Sequence, residues 1–215
     1  MNPGTSGRAP LTLGIDEAGR GPGIGPMVLC AVALDEDRGA RLATLGVRDS
    51  KAFGSSDKSK AVRARLALEI ERVALFVGYE VCEVPEIDVY VSRGGLNELE
   101  REKAAALIQR APACARLIAD GRTLFSPLAA AFPGLEAKDK ADAEHVAVAA
   151  ASVCAKARRD ALFAAIAKRY EPDFGPLAGG GYVNPKTKAF IAEYVRRFGQ
   201  LPPEARKSWP WPGIS

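Results

Sequence analysis

Acidic residues end two apolar segments of this sequence in a pattern that could hold metal ions. The run "LTLGIDEAGRGPGIGPMVL" carries the adjacent Asp16 and Glu17, and the run "RLIAD" ends on Asp120. Asp142 stands where a long, alanine-rich helical segment is predicted to begin. Because strand ends in α/β proteins converge on one edge of the sheet, we expect these four carboxylates to meet. Oxygen ligands without nearby His or Cys suit Mg²⁺ or Mn²⁺, and two such ions can promote phosphodiester hydrolysis.

Each acid also has an ordinary explanation. Asp120 before Gly121 is a common turn signal, and an Asp near a helix start is a common cap or dipole partner. Four carboxylates in one place repel one another, which raises their pKa values and is tolerable when cations neutralise them. Successive strand residues point to opposite faces, so Asp16 and Glu17 reach one site only if the chain bends. Taken together with residues 14–22, the acids favour the metal-site interpretation.

A glycine-rich segment with a single arginine follows the first two acids. Gly19, Arg20 and Gly21 are expected to expose backbone beside the metal ions, and the two glycines permit the bend. Backbone N–H and C=O groups without a neighbouring Cβ can approach a sugar-phosphate chain closely. A ribose 2′-hydroxyl both donates and accepts hydrogen bonds, so such a segment could distinguish RNA from DNA.

The elements that must position these residues follow from apolar periodicity and turn signals. Strands are predicted at 11–16, 26–34, 75–84, 115–120 and from 134, and helices from Ser56 or Asp57 to about 73 and at 86–92, 96–110, 142–170 and 185–198. This order predicts an α/β fold with a mixed sheet flanked by helices and a helical C-terminal region. We expect residues 1–10 to form a disordered leader and residues 11–215 a single domain, with a C-terminal helical extension from about 172.

Composition limits the class of protein. The 215 residues carry a net charge of +4, which permits nucleic-acid binding without requiring it. Four dispersed cysteines and one histidine argue against a zinc site. The sequence contains neither an apolar run of membrane-spanning length nor a signal peptide, so a cytoplasmic protein is expected. A monomer is the default expectation, and no motif indicates a protein partner such as a sliding clamp.

Several segments together resemble the ribonuclease HII family. The segments are "GIDEAGRGPGIGPMV", "VRDSK" at 47–51, "LIADG" at 117–121, "DKADAEHVAVAAASVCAKARRD" at 139–160, "GGGYVNPKT" at 179–187 and "RKSWPW" at 206–211. They occur in the family's order over nearly the whole chain, and the last two resemble its archaeal and eukaryotic branch. The resemblance implies a ribonuclease H-like fold.

The resemblance also implies an activity. It implies Mg²⁺- or Mn²⁺-dependent cleavage of RNA in RNA/DNA hybrids, and cleavage 5′ to single ribonucleotides in duplex DNA, with 3′-hydroxyl and 5′-phosphate products. By the same resemblance Asp16, Glu17, Asp120 and Asp142 are the metal-binding acids, and Gly19, Arg20 and Gly21 sense the 2′-hydroxyl. The resemblance also implies that Tyr182 stacks on the following sugar and that Lys51 and the basic residues of "AKARRD", Lys156 foremost, contact backbone phosphates.

Other aromatic and titratable residues have simpler interpretations. His145 is expected on the predicted helix in a structural or surface role. Trp209 and Trp211 are expected to pin the tail to the body of the protein, although stacking on bases is an alternative. Two other functions remain open: a catalytically silent nucleic-acid-binding module, and another two-metal nuclease of the same fold.

Overall fold

The computed structural model describes residues 9–47 and 56–211. In this part of the chain one five-stranded sheet forms from β1 (Thr12–Ala18), β2 (Met27–Leu34), β3 (Phe76–Cys82), β4 (Arg116–Asp120) and β5 (Leu135–Lys138). The helices are α1 (Glu36–Thr44), α2 (Asp57–Val73), α3 (Val84–Ser92), α4 (Leu96–Arg110), α5 (Arg122–Phe125), α6 (Ala141–Glu144), α7 (Val146–Phe174) and α8 (Pro185–Phe198). None of these helices combines the length and apolarity needed to span a bilayer.

The sheet is mixed, as the sequence predicts. Its strand order is β3-β2-β1-β4-β5, with β1 antiparallel to β2 and parallel to β4. β2 pairs antiparallel with β3, and β4 pairs parallel with β5. The central strand β1 therefore ends on the same edge as its parallel neighbour β4. This edge brings the end of each strand, with its acidic residue, to one place.

Alternating side chains of the sheet bury two apolar layers. One layer lies between the sheet and the helices α1, α2 and α7, and the other contains residues of α3 and α4. Gly14 lets α7 lie directly against β1, because a Cβ at this position would come within 2.1 Å of the Ala147 carbonyl carbon. The helix backbone thus passes beside the strand two residues before Asp16.

The long predicted helix is divided at its start. His145 has extended backbone angles (φ −123°, ψ 114°), so the one-turn helix α6 ends before it and α7 begins after it. The expectation that His145 lies on a helix is therefore wrong: it occupies the cap position between the two. The expectation that the long helix begins at 142 is also wrong, since Asp142 belongs to the separate turn α6.

The C-terminal region contains a short 3-10 turn (Gly179–Gly181), α8 and irregular segments around them. Asn184 caps α8 by accepting a hydrogen bond from the Thr187 N–H at 3.0 Å. The tail then returns to the body, where Trp211 is buried beside Ile24 and Phe163. Pinning of the tail is thus confirmed for Trp211. That residues 11–215 form a single domain with an extension from about 172 stays a prediction.

Candidate active site

Three of the four predicted acids meet in one cluster. Asp16, Asp120 and Asp142 each contribute a carboxylate oxygen to a group whose members lie within 4.8 Å of one another. We call these three residues the acid cluster. Asp16 and Asp142 are buried, and Asp120 is half-buried. Such a set of hard oxygen donors is of the kind that binds Mg²⁺ or Mn²⁺.

Short connections hold the acid cluster in place. The Ala141 N–H donates to Asp120 Oδ1 at 2.9 Å, which ties α6 to the end of β4. Lys140, just before α6, has a left-handed backbone (φ 61°), a conformation that costs a residue with a side chain on the order of 1 kcal/mol. That tight reversal places Asp142 beside the strand ends. The local strain lies at the point where the third acid enters the site.

Glu17 lies next to the acid cluster but outside its closest set. The strand β1 continues without a bend through Asp16 and Glu17 to Ala18, so the two side chains leave opposite faces. The predicted bend at the acids is therefore wrong, and the chain turns only after Ala18. Glu17 Oε2 is buried and has no hydrogen-bond partner among the described residues. Glu17 lines the cleft described below, and the charges of Asp16 and Asp120 act on its carboxylate.

Burial and mutual repulsion act on these carboxylates in the same direction. Burial, opposed by a hydrogen bond from Ser152 and by the charge of Lys156, raises the pKa of Asp16 to about 6. Burial, reinforced by the charges of Asp16 and Asp120, raises the pKa of Glu17 to about 8. Without a cation, the site therefore holds protons near neutral pH.

Helix α7 contributes a positive charge, Lys156, that acts on Asp16. Lys156 Nζ donates to Ser152 Oγ at 2.6 Å, and both residues face Asp16. The close approach of α7 at Gly14 is what brings these two side chains to the strand end. Lys156, predicted to bind phosphate, thus lies between the acid cluster and the open cleft.

The glycine–arginine loop, residues 19–21, lies beside the acids and is fixed through its carbonyl groups. Gly19 has a left-handed backbone (φ 89°) that favours glycine. Arg206, which is completely buried, donates to the carbonyl oxygens of Gly19, Arg20 (2.8 Å) and Gly25 (3.0 Å). Trp209 Nε1 donates to the Gly21 carbonyl at 3.0 Å. Among the hydrogen bonds within the described residues, none has the amide of Gly19, Arg20 or Gly21 as donor.

Tyr182 stands over this loop. Its ring is 57% exposed, and a Cβ added to Gly21 would come within 3.2 Å of the ring. The preceding glycines position it, because the Gly181 carbonyl accepts hydrogen bonds from the N–H groups of Gly23 (3.0 Å) and Ile24 (3.1 Å). The structure therefore brings Tyr182 and the glycine–arginine loop together, as the sequence predicts.

A cleft of about 1180 Å³ joins these parts. It is lined by Glu17, the glycine–arginine loop, Tyr182, Lys156 and, from α2, Lys60. Glu17 is the candidate acid that lines the cleft, and Lys60 and Lys156 line it with cations, an arrangement suited to a phosphodiester held beside metal ions. The predicted phosphate ligand Lys51 lies outside the described residues.

Arg159 corrects one expectation from the sequence. The basic residues of "AKARRD" were expected to contact phosphate, but Arg159 is only 4% exposed and donates through Nη2 to the Ile24 carbonyl at 2.8 Å. Burial lowers the pKa of its guanidinium. Arg159 packs against Gly19, Gly25 and Gly181, so it supports the loops of the cleft.

Sequence reasoning missed the residues that support the loop from behind. Arg206 was noted only within "RKSWPW", Trp209 was expected to pin the tail rather than to bind the loop, and Glu100, which pairs with Arg20, was read as part of an ordinary helix. A glutamate within a charged helix segment, like an arginine preceding two tryptophans, is a weak signal of a buried charge. No periodicity argument could have joined residues that are about 80 and 187 positions apart along the chain.

Comparison with known proteins agrees with this arrangement. The family model described as Ribonuclease HII matches residues 13–211. The chain belongs to the ribonuclease HII family. It is 37% identical over 206 residues to the ribonuclease HII of Thermococcus kodakarensis, a match that covers 91% of this chain and 85% of the relative. The ribonuclease HII fold is thus confirmed, and the chain is a metal-dependent endoribonuclease.

Solved structures of this family superpose on nearly the whole chain. The ribonuclease H2 of Pyrococcus horikoshii matches with a TM-score of 0.80 at 29% identity and covers 94% of both chains. A ribonuclease HII solved in complex with PCNA, from Archaeoglobus fulgidus, matches with a TM-score of 0.77 at 30% identity and covers 95% of this chain and 98% of its own. The resemblance to ribonuclease HII is confirmed by both sequence and structure.

Proposed function

We propose that this protein hydrolyses the RNA strand of RNA/DNA hybrids and cuts 5′ to single ribonucleotides embedded in duplex DNA. The products would carry 3′-hydroxyl and 5′-phosphate ends. The observation that carries the proposal is the acid cluster next to a loop that lines the cleft and whose backbone amides have no hydrogen-bond acceptor among the described residues. The first part could hydrolyse a phosphodiester, and the second could select the sugar next to it.

The acids fit a pair of divalent cations. Asp16, Asp120 and Asp142 would hold the ions, and Glu17 offers a buried carboxylate oxygen that lacks any partner in the described chain. The purely oxygen donor set favours Mg²⁺ or Mn²⁺. When bound, these ions would supply the positive charge that stabilises the transition state and assists ionisation of the attacking water.

The protein's own groups would position the substrate. Arg206 and Trp209 bind the carbonyl groups of residues 19–21 and hold this segment in place. The amides of the same residues can donate to a ribose 2′-hydroxyl, which a deoxyribose lacks. Tyr182 presents an exposed ring against which the next sugar could stack, and a 2′-hydroxyl on that sugar would crowd the ring. Lys156, and by family resemblance Lys51, would contact phosphates.

A nicking assay tests the proposal. The protein is incubated with a 5′-labelled DNA duplex carrying one ribonucleotide, with an RNA/DNA hybrid, and with an all-DNA duplex of the same sequence. With Mg²⁺ or Mn²⁺ we expect one cut 5′ to the ribonucleotide, several cuts in the RNA, and none in the DNA duplex or in EDTA. Extension of the nick by a DNA polymerase checks for the 3′-hydroxyl.

The same assay separates the alternatives. A silent binding module would retard all three duplexes on a gel and cut none, although the complete set of acids speaks against it because acids repel phosphate. A two-metal nuclease with another substrate would spare the ribonucleotide and cut a branched duplex added to the panel. Either result would overturn the proposed substrate.

A further inference from the structure

A buried glutamate on α4 holds the arginine of the glycine–arginine loop. Glu100 is completely buried, and its Oε2 accepts a hydrogen bond and ion pair from Arg20 Nη1. Three residues earlier on the same face of α4, Asn97 Oδ1 accepts from Arg20 Nη2 at 2.7 Å. Two side chains of one helix thus bind both terminal nitrogens of one guanidinium.

Stability alone does not explain this glutamate. A buried carboxylate loses its hydration, and an ion pair in such a place is commonly replaced by apolar residues without loss of stability. Glu100 Oε1 has no hydrogen-bond partner among the described residues, so part of the cost of burial is uncompensated. Its neighbours Leu99 and Ala104 belong to the apolar layer, where a leucine would pack readily.

The pair gives the loop an additional point of attachment. Arg206 and Trp209 bind its carbonyl oxygens, whereas Glu100 and Asn97 bind the side chain of its central residue. These contacts come from two parts of the chain, the C-terminal tail and α4. Together they restrict both the position and the rotation of a three-residue segment, and they leave its amides facing no internal acceptor in the described chain.

We propose that Glu100 is a positioning residue that sets the orientation of the residue 19–21 amides and thereby the preference for a ribose 2′-hydroxyl over a deoxyribose. This inference rests on the proposed function, because it assumes that these amides face the sugar. It assigns Glu100 no contact with the substrate. Selectivity for ribose then depends on a residue of α4, which packs on the sheet face opposite to the one that α7 covers.

The test compares affinities in EDTA, where the duplexes are not cut. Binding of the single-ribonucleotide duplex and of the all-DNA duplex is measured by fluorescence anisotropy for wild type, Glu100→Leu and Glu100→Gln. Wild type should prefer the ribonucleotide duplex, and Glu100→Leu should lower that affinity ratio about tenfold, the value of one hydrogen bond. Glu100→Gln keeps an oxygen for Arg20 and should retain most of the preference.

Glu102→Leu is the matched control. Glu102 lies on the same helix and bonds Tyr90 rather than the loop, so its loss should leave the affinity ratio unchanged. A structural role for Glu100 would change the melting temperature without changing the ratio. If Glu100→Leu does not fold, Glu100→Ala and Glu102→Ala replace the pair, because alanine removes the contact without adding bulk: only the first should lower the affinity ratio.

The outcomes separate the two proposals. A folded Glu100→Leu or Glu100→Ala variant with the wild-type affinity ratio would overturn the positioning role alone. A wild-type protein that neither nicks the ribonucleotide duplex nor prefers it would overturn the proposed function, and this inference with it.

Discussion

Asp16 of the acid cluster and Gly19 of the glycine–arginine loop are three positions apart along the chain, yet the cluster and the loop are stabilised in opposite ways. The acids repel one another, and burial raises the pKa values of Asp16 and Glu17. The loop has its carbonyls bound by buried side chains, with Arg206 as the principal donor. The acids therefore depend on a cation from outside, whereas the loop is completed by the protein itself.

This difference teaches how the two halves of the site respond to change. Removing an acid relieves repulsion, so chemistry should be lost without loss of the fold. Removing a support of the loop leaves buried carbonyls without partners, so stability and sugar selection should fall together. Three experiments can break or sharpen this contrast.

Asp16→Asn should have the largest effect. The loss of a metal-binding charge is expected to lower the rate of hybrid cleavage by about a thousandfold or more. Because one repulsive charge disappears, the metal-free variant should be about 1 kcal/mol more stable at pH 8, as measured by urea unfolding. Glu144→Gln is the control, since Glu144 is exposed on the helix that carries Asp142. Wild-type cleavage by Asp16→Asn would contradict the assignment of the site.

Arg206→Lys should mainly affect stability. A lysine cannot reach three carbonyls in the fixed geometry of a guanidinium, so buried acceptors lose their donors. We expect a loss of about 3 kcal/mol, seen as a Tm lower by roughly 6–12 °C. The exposed pair Arg197–Glu193 provides the comparison, because Arg197→Lys should change stability by less than about 0.5 kcal/mol. Equal melting of the two variants would refute the bracing role of Arg206.

The smallest effect concerns metal and pH. Since the pKa values of Asp16 and Glu17 rise on folding from 3.8 and 4.5 to about 6 and about 8, their contribution to stability is present below about pH 4. It is lost as the pH rises through about 6 and then about 8. Mg²⁺ competes with these protons, so it should raise Tm more at pH 8 than at pH 6. Calorimetry with and without EDTA measures this, and a larger gain at pH 6 would show that other groups bind the ion.

Local sequence signals predicted most of the strands and helices. The Gly/Pro break between β1 and β2, the cap at Ser56 and the breaker "RGG" each act within a few residues, and each element they predict is present. Helix α1 was not predicted, because Gly39 in its middle weakens the pattern, although Asp35 caps it by accepting from the Arg38 N–H at 2.9 Å. The break at His145 was missed because alanine-rich periodicity continues across it.

The candidate site was predictable only in part. Acids at strand ends and glycines near them carry their own signal, so the meeting of Asp16, Asp120 and Asp142 could be expected from the sheet rule alone. Whether Glu17 joins the three aspartates of the acid cluster depends on whether β1 bends at this point, and the sequence does not specify that bend. Glu100 and Arg206 act over long separations through packing, and a single sequence carries no local trace of that.

The segment that supports the loop is made long after the loop itself. Arg206 reaches carbonyls 186 and 187 positions earlier, so the ribosome must synthesise all the intervening residues before that contact can form. Such distant contacts are slow to close compared with helices and hairpins. A nascent chain can assemble its strands and gather its acids well before the loop is locked. In a newly made chain, the ability to select the sugar should therefore appear later than the assembled acid cluster.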